Sequence, residues 1–296
     1  MREGLAREFP EALRAVAWTR ARAGPRTEPV LWAAISGIGA GFLVSEISQG
    51  LVGLANRALL VARSELPFAL FPLATIAGSA AAAAVALAAG GPIALALELA
   101  YYGLGIALRI PGVMTFCERS GGTFPNQLGP DQCTAVGFLA SLWPQLVGIG
   151  LGIALARAMT THGVGINSLL RIAGSLAISL TVLSQIWAAI FAQSTNSRTS
   201  ALTLAAGFAA AAVAAGVVAA QLPRGVRNAT IIGAFWLLPW LTLQLPLGLQ
   251  SLGPTVPPEF IEIIVVTIVI PPIATALLIV SAAVASRARF IPRDVA

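Results

Sequence analysis

The sequence predicts an all-α integral membrane protein with about eight transmembrane helices. Of its 296 residues, 57% are hydrophobic and only 10% are charged, whereas an ordinary soluble domain has about a quarter charged residues. Apolar runs of about 20 residues recur along the whole chain, and each is long enough to cross a hydrocarbon core about 30 Å thick as a helix. A membrane β-barrel would alternate apolar and polar residues, and the sequence shows no such alternation.

Breakers and polar clusters separate the predicted spans. Gly-Gly-Pro at 90–92 and the polar stretch at 193–200 are two of these boundaries. An amphipathic insertion at 49–66 is expected to lie in the outer interface or to dip into the membrane as a re-entrant segment. The eight spans are residues 29–48, 67–89, 92–113, 136–156, 166–192, 200–221, 229–250 and 260–285.

The arginines predict that both termini are cytoplasmic. Twelve arginines fall on the side of the termini and four on the other, as the positive-inside rule requires of cytoplasmic segments. The formal charge of +6 therefore reflects topology, and a nucleic-acid partner is not expected. An alanine-rich and arginine-rich chain without lysine is typical of a GC-rich bacterial gene. We expect a multi-pass protein of the bacterial cytoplasmic (inner) membrane.

The predicted domains follow from these spans. A first four-helix half covers 29–156 and a second covers 164–285, followed by a cytoplasmic tail at 286–296. The cytoplasmic segment at 1–28 is amphipathic: from Pro10 onward, apolar residues fall on one side of a helix and arginines on the other. We expect an interfacial helix there, with a disordered tail as the alternative.

Landmarks of the first half recur in the second half in the same order, four spans apart. Val-Ser-Glu-Ile-Ser at 44–48 resembles Leu-Ser-Gln-Ile-Trp at 183–187, which aligns Glu46 with Gln185; Arg109 likewise aligns with Gln244. Alanine-rich helices resemble one another by composition alone, but here polar landmarks align as well. An even offset makes such a repeat parallel. The pattern favours two parallel four-helix repeats.

Two cysteines bracket a loop that the topology places outside the cytoplasm. Cys117 and Cys133 lie in the predicted loop at 114–135, in a compartment where disulfides form and persist. A bridge there would stabilise the fold by about 3 kcal/mol through loop closure. The alternatives are two free thiols or half of a metal site. No histidine or further cysteine in the loop supports a metal site.

The most informative stretch is a charged stripe within the third span. Glu98, Tyr102, Gly105 and Arg109 lie on one face of a helix, with Tyr101 beside it. Glu98 and Arg109 are about 16 Å apart along the axis, too far for direct pairing. A charge near the bilayer centre costs at least about 2.5 kcal/mol, so such residues usually face a bundle interior and often mark a pathway. The alternative is that Glu98 only fixes helix packing.

Two further polar groups are available to a substrate or ion pathway, and little else in the sequence bears on chemistry. Glu46 lies near the outer end of the first span, and Gln145 follows Pro144 in the fourth. His162 is the only histidine, and no catalytic, metal-binding or phosphate-binding motif occurs. We therefore expect no catalytic residues, no metal site, no cofactor and no enzyme activity.

Two function classes fit these observations. The first is a transporter or permease subunit for a small or lipid-like solute, with Glu46, Glu98, Tyr102, Arg109 and Gln145 along its path. The second is a non-catalytic scaffold or anchor subunit of a larger membrane complex, docked through the charged stripe. Besides the lipid bilayer, the expected partners are other membrane subunits or further copies of this chain.

The predicted disulfide can be tested by thiol labelling of intact cells. A membrane-impermeant reagent should fail to label Cys117 and Cys133 before reduction and should label both after it, because an external bridge protects the thiols. Labelling without reductant would show that no bridge forms. Failure after reduction would show that the cysteines are shielded or lie on the cytoplasmic side.

Overall fold

A computed structural model describes residues 27–61, 67–119, 130–159, 167–193, 197–245 and 269–290. These ranges consist of helices and short turns and contain no strand, so the all-α prediction is confirmed for the described part of the chain. The predicted interfacial helix within 1–28 lies outside these ranges except for its last two residues. The predicted tail at 286–296 is described as far as residue 290, where a helix ends.

Seven α-helices lie in the described ranges, and we number them in chain order. One of them ends in a wider turn, because Pro239 has no backbone N–H to donate and a π-helical turn follows it at Trp240–Gln244. The helices are α1 (Thr27–Val61), α2 (Pro67–Arg119), α3 (Pro130–Met159), α4 (Ser168–Gln193), α5 (Ser197–Gln221), α6 (Gly225–Pro239) and α7 (Ile270–Phe290).

Helix α2 is a hairpin of two arms, residues 67–90 and 92–119, that reverses at Gly91. Gly91 has a φ of 69°, which glycine adopts without strain, and Pro92 suits the first turn of the second arm. On one straight helix Ala82 and Glu98 would be about 24 Å apart. Instead, both residues lie against Gly37 of α1. A Cβ built on Gly37 would be 2.9 Å from the Ala82 carbonyl oxygen and 2.9 Å from Glu98 Oε2. The arms therefore run back along each other, and the reversal coincides with the predicted boundary at 90–92.

Helix α1 is longer than predicted. The sequence suggested a span at 29–48 and a separate insertion at 49–66, but one continuous helix of 35 residues runs from Thr27 to Val61. The residues that follow position 48 include leucine, alanine and arginine, which favour helix. Gly50 does not end the helix, because it lies against the side chain of Leu238 in α6. The helix is about 52 Å long, more than a hydrocarbon core requires.

The predicted loop at 114–135 is also partly helical. Helix α2 continues to Arg119, and α3 begins at Pro130, a residue that suits the first turn of a helix. Cys117 and Cys133 therefore lie in helical backbone and not in a loop. Their side chains lie outside the described residues, so the disulfide stays a prediction.

Close contact between helix backbones holds the bundle together. A Cβ on Gly39 of α1 would collide with the carbonyl oxygen of Leu170 in α4, and a Cβ on Gly174 of α4 would collide with the carbonyl oxygen of Ile35. Gly37 and Gly41, on another face of α1, pack against the first arm of α2. Small residues allow this approach, which gives van der Waals contact where lipid offers no hydrophobic driving force between helices. We call the contact of Gly37, Gly39 and Gly41 with α2 and α4 the glycine seam.

Two further helix pairs use glycine in the same way. Gly148 and Gly152 of α3 pack against the first arm of α2. A Cβ built on either glycine would lie 2.5 Å from a carbonyl oxygen of that arm. Gly216 of α5 packs against α7, where a built Cβ would lie 2.7 Å from the carbonyl oxygen of Ile279. The small-residue spacings at 37–41 and 148–152 thus mark close helix packing.

Small apolar side chains dominate the interior of the described helices, and many large apolar side chains are exposed. Most buried apolar residues are alanines, whereas the exposed large apolar residues are leucines, isoleucines and valines on the outer faces of the helices. Three helical segments are long and apolar enough to cross a membrane: Glu28–Ala55, Pro72–Ala107 and Ile270–Arg287. Three shorter apolar helical segments are Leu142–Ala158, Ser168–Leu183 and Ala205–Gln221.

The glycine seam predicts a position-specific effect of a single methyl group. Gly174→Ala should lower the free energy of unfolding by about 1–3 kcal/mol, because the new Cβ collides with the backbone of α1. Gly103→Ala is the matched control: nothing lies within 4 Å of a Cβ built there, and alanine favours helix. Thermal unfolding in detergent measures both. Equal stability of the two variants would contradict direct backbone contact at Gly174.

Candidate functional site

A cavity of about 380 Å³ lies between helices that are far apart in sequence. Six of the seven described helices line it, α7 being the exception. Three of the predicted pathway residues line it: Glu46 from α1, Tyr102 from the second arm of α2, and Gln145 from α3. The structure thus brings together residues that are far apart in sequence. Other polar side chains of the lining are Ser45, Thr75, Ser79, Tyr101 and Thr181.

Glu98 lies beside this cavity and does not line it. Its side chain is fully buried, with 0% exposure, at the glycine seam between α1 and the first arm of α2. Neither carboxylate oxygen has a hydrogen-bond partner. Tyr102 follows one helical turn later, and its hydroxyl lies against Gly41 at the cavity. The first two residues of the predicted stripe therefore run from the seam to the cavity, whereas Gly105 does not line the cavity.

Glu46 is the acidic side chain of the cavity lining. It is partly buried on α1, and within the described residues it has no ion pair and no hydrogen bond. The described residues of the lining include no arginine or histidine. The cavity therefore contains a carboxyl group whose charge, when ionised, no neighbouring basic side chain balances.

A hydrogen-bond pair joins the second arm of α2 to α4 at the cavity wall. The oxygens of Tyr101 and Thr181 are 2.6 Å apart, and Thr181 donates to the carbonyl oxygen of Ala177 at 2.9 Å. The Tyr101 hydroxyl also lies 3.4 Å from the same carbonyl oxygen, so either hydroxyl can be the donor between Tyr101 and Thr181. This contact fixes the tyrosine pair at the cavity, since the rings of Tyr101 and Tyr102 have centroids 5.4 Å apart. Nothing in the sequence singled out Thr181.

Aromatic side chains from three helices form another wall. The rings of Phe42 and Trp236 are stacked with centroids 5.9 Å apart, and Phe208 lies 6.2 Å from Trp236. All three line the cavity. Sequence reasoning missed them because aromatic residues are common in membrane helices, and no spacing links α1, α5 and α6.

The remaining predicted residue is Arg109. It belongs to the helical backbone of the second arm of α2, two turns beyond Tyr102, and its side chain lies outside the described residues. Another arginine has a described role: the Arg171 guanidinium carbon lies 5.0 Å from the ring centroid of Trp32, joining the starts of α4 and α1 through a cation–π contact. Arg171 does not line the cavity.

The environment of Glu98 predicts that this residue adds nothing to stability. Glu98→Met replaces a buried group that has no partner by an unbranched apolar side chain, so the free energy of unfolding should stay the same or rise. Asn228→Leu is the control: Asn228 is also buried but donates a hydrogen bond to Ser168, and its loss should cost about 1–3 kcal/mol. Thermal unfolding in detergent compares them. If Glu98→Met destabilised the protein as much as Asn228→Leu, Glu98 would be a packing residue.

Comparisons with protein-family models, curated proteins and solved structures found no match for this chain. No relative therefore lends it a fold name, a substrate or a partner. The inference about its function rests on the chemistry of the cavity and of Glu98.

Proposed function

We propose that this chain is a transporter or permease subunit for a small or lipid-like solute. It crosses the bacterial cytoplasmic membrane eight times, counting the two arms of α2 separately, with both termini in the cytoplasm. The solute occupies the cavity lined by Glu46, Tyr102 and Gln145. It works with other membrane subunits or with further copies of itself.

The observation that carries this proposal is the composition and position of the cavity. Its volume of about 380 Å³ is in the range of small-molecule sites. Its polar groups come from α1, both arms of α2, α3 and α4, so polar side chains from several helices converge on one space. Polar side chains are costly within a membrane, and their convergence on one space is typical of a substrate pathway.

The halves of the bundle support a parallel repeat. Gly39 lies against the carbonyl of Leu170, and Gly174 lies against the carbonyl of Ile35. Each carbonyl belongs to the residue four positions before the other glycine. Such reciprocal contact is what a two-fold axis between two parallel helices produces. The α3 contact with the first arm of α2 and the α7 contact with α5 likewise pair the fourth span of each half with its second. We propose that the halves are parallel repeats related by an axis along the membrane normal.

The register of this contact differs from the one suggested by sequence. It pairs Gly39 with Gly174, 135 positions apart, whereas aligning Glu46 with Gln185 gives an offset of 139. The difference is about one helical turn. In the contact register, Glu46 corresponds to Thr181, and both line the cavity.

Transport requires that the cavity be reached from both faces of the membrane, whereas a scaffold needs no such route. In a Cys117→Ser, Cys133→Ser background, a single cysteine at Ser45 should react with a membrane-impermeant methanethiosulfonate reagent in intact cells and also in inside-out vesicles, since Ser45 lines the cavity. Mass spectrometry of the purified protein measures the fraction modified.

Val182→Cys in the same background is the control. Val182 adjoins the cavity residue Thr181 but is 53% exposed on the outer face of α4, so lipid should shield it from both sides. Reaction at Ser45 from one face only would reduce the cavity to a binding pocket. No reaction from either face would favour the scaffold role over transport.

A further inference from the structure

We propose that the cavity binds a small organic cation, an amine or quaternary ammonium group carried on an apolar body, with Glu46 as its counter-charge. This inference names the solute class for the transport proposed above and rests on that proposal. Three observations carry it: an acidic side chain in the lining without a partner, the lack of basic side chains there, and an aromatic wall.

The first two observations concern charge. The sequence contains no lysine, so only arginine or the single histidine could balance a buried carboxylate. Of the arginines with described side chains, Arg171 lies over Trp32, and the others are exposed at helix ends. Among the residues whose side chains the structure describes, none places a cation beside Glu46, and a cationic occupant would supply the missing charge. The remaining exposed arginines are Arg157, Arg224, Arg227 and Arg287.

The third observation concerns the walls. A cation within about 6 Å of an aromatic ring is attracted by the negative face of the ring, most strongly by tryptophan. The aromatic side chains of the lining come from four helical segments, namely α1, the second arm of α2, α5 and α6. They are Phe42, Tyr101, Tyr102, Phe208 and Trp236. Aromatic faces with one carboxylate are a typical surround for an ammonium group, and they also accept its apolar body.

The same lining disfavours other solutes of this size. An anion would meet Glu46 with no arginine to receive it. A neutral solute can use Gln145 and the hydroxyl groups, but it gives an ionised Glu46 no counter-charge, which is costly away from water. A cation satisfies both the ionised carboxylate and the aromatic faces.

Three probes of similar size and different charge test this inference on the purified full-length protein in detergent. They are phenyltrimethylammonium, its near-isosteric neutral counterpart 2-phenyl-2-propanol, and the anion benzenesulfonate. Isothermal titration calorimetry should show that the cation binds at least about tenfold more tightly than either of the others. Glu46→Gln, which keeps the shape of the side chain and removes its charge, should weaken cation binding by about tenfold or more.

Glu28→Gln is the matched control, because Glu28 is an exposed glutamate at the start of the same helix and should leave cation binding unchanged. Equal affinity of the wild-type protein for the cation and the alcohol would overturn the inference, and so would unchanged cation binding in a folded Glu46→Gln variant. If that variant failed to fold, the wild-type comparison of the three probes would still decide.

The inference and the transport proposal can fail separately. A clear preference for the cation, with Ser45 reached from only one face, would leave the cation site and overturn transport. Access to Ser45 from both faces without any preference for the cation would support transport and overturn the cation site.

Discussion

Direct contact between helix backbones is the interaction on which the rest of this structure depends. In a membrane, packing of side chains against lipid is nearly as favourable as packing against another helix, so a bundle needs van der Waals contact that lipid cannot match. The chain obtains it by burying alanines and by placing glycines where α1 meets α2 and α4. Its leucines, isoleucines and valines lie on the outer faces of the helices, where lipid can surround them.

The cavity overlaps one end of the glycine seam, because Gly41 packs against α2 and also lines the cavity. At Gly37, Gly39 and Gly41, α1 lies so close to its neighbours that an added Cβ would collide with them. One residue further along, Phe42 lines the cavity, and Glu46 follows one turn later. Glycines of α1 thus give close contact with α2 and α4, and larger side chains of the same helix face the cavity.

The sequence was sufficient for the helical class and for much of the site, and the limits of that reasoning have physical causes. Composition and apolar length predict membrane helices because the bilayer imposes both. Glu46, Tyr102 and Gln145 could be selected because polar side chains are rare in such helices. The end of α1 could not be predicted, since the helix continues through the glycines that follow residue 48. The aromatic wall depends on tertiary contacts between α1, α5 and α6, which no local pattern encodes.

Glu98 differs in one respect from three other buried polar residues. Ser36 and Thr275 donate to backbone carbonyls of their own helices, and Asn228 donates to Ser168. Each of these groups is buried together with a partner, as polar groups in a low-dielectric interior usually are. Glu98 is buried just as completely, but neither of its oxygens has a partner.

A residue kept only for packing would be better replaced by an apolar side chain, because an unpartnered carboxyl group weakens the seam it occupies. The interactions that offset this cost must therefore lie outside the contacts described here. A proton, a bound ligand and a second arrangement of α1 against α2 are the candidates. Glu98 is one helical turn from Tyr102, so whatever satisfies its carboxyl group acts next to the cavity. A single helical turn of α2 therefore joins the unpartnered carboxyl group in the seam to the cavity wall.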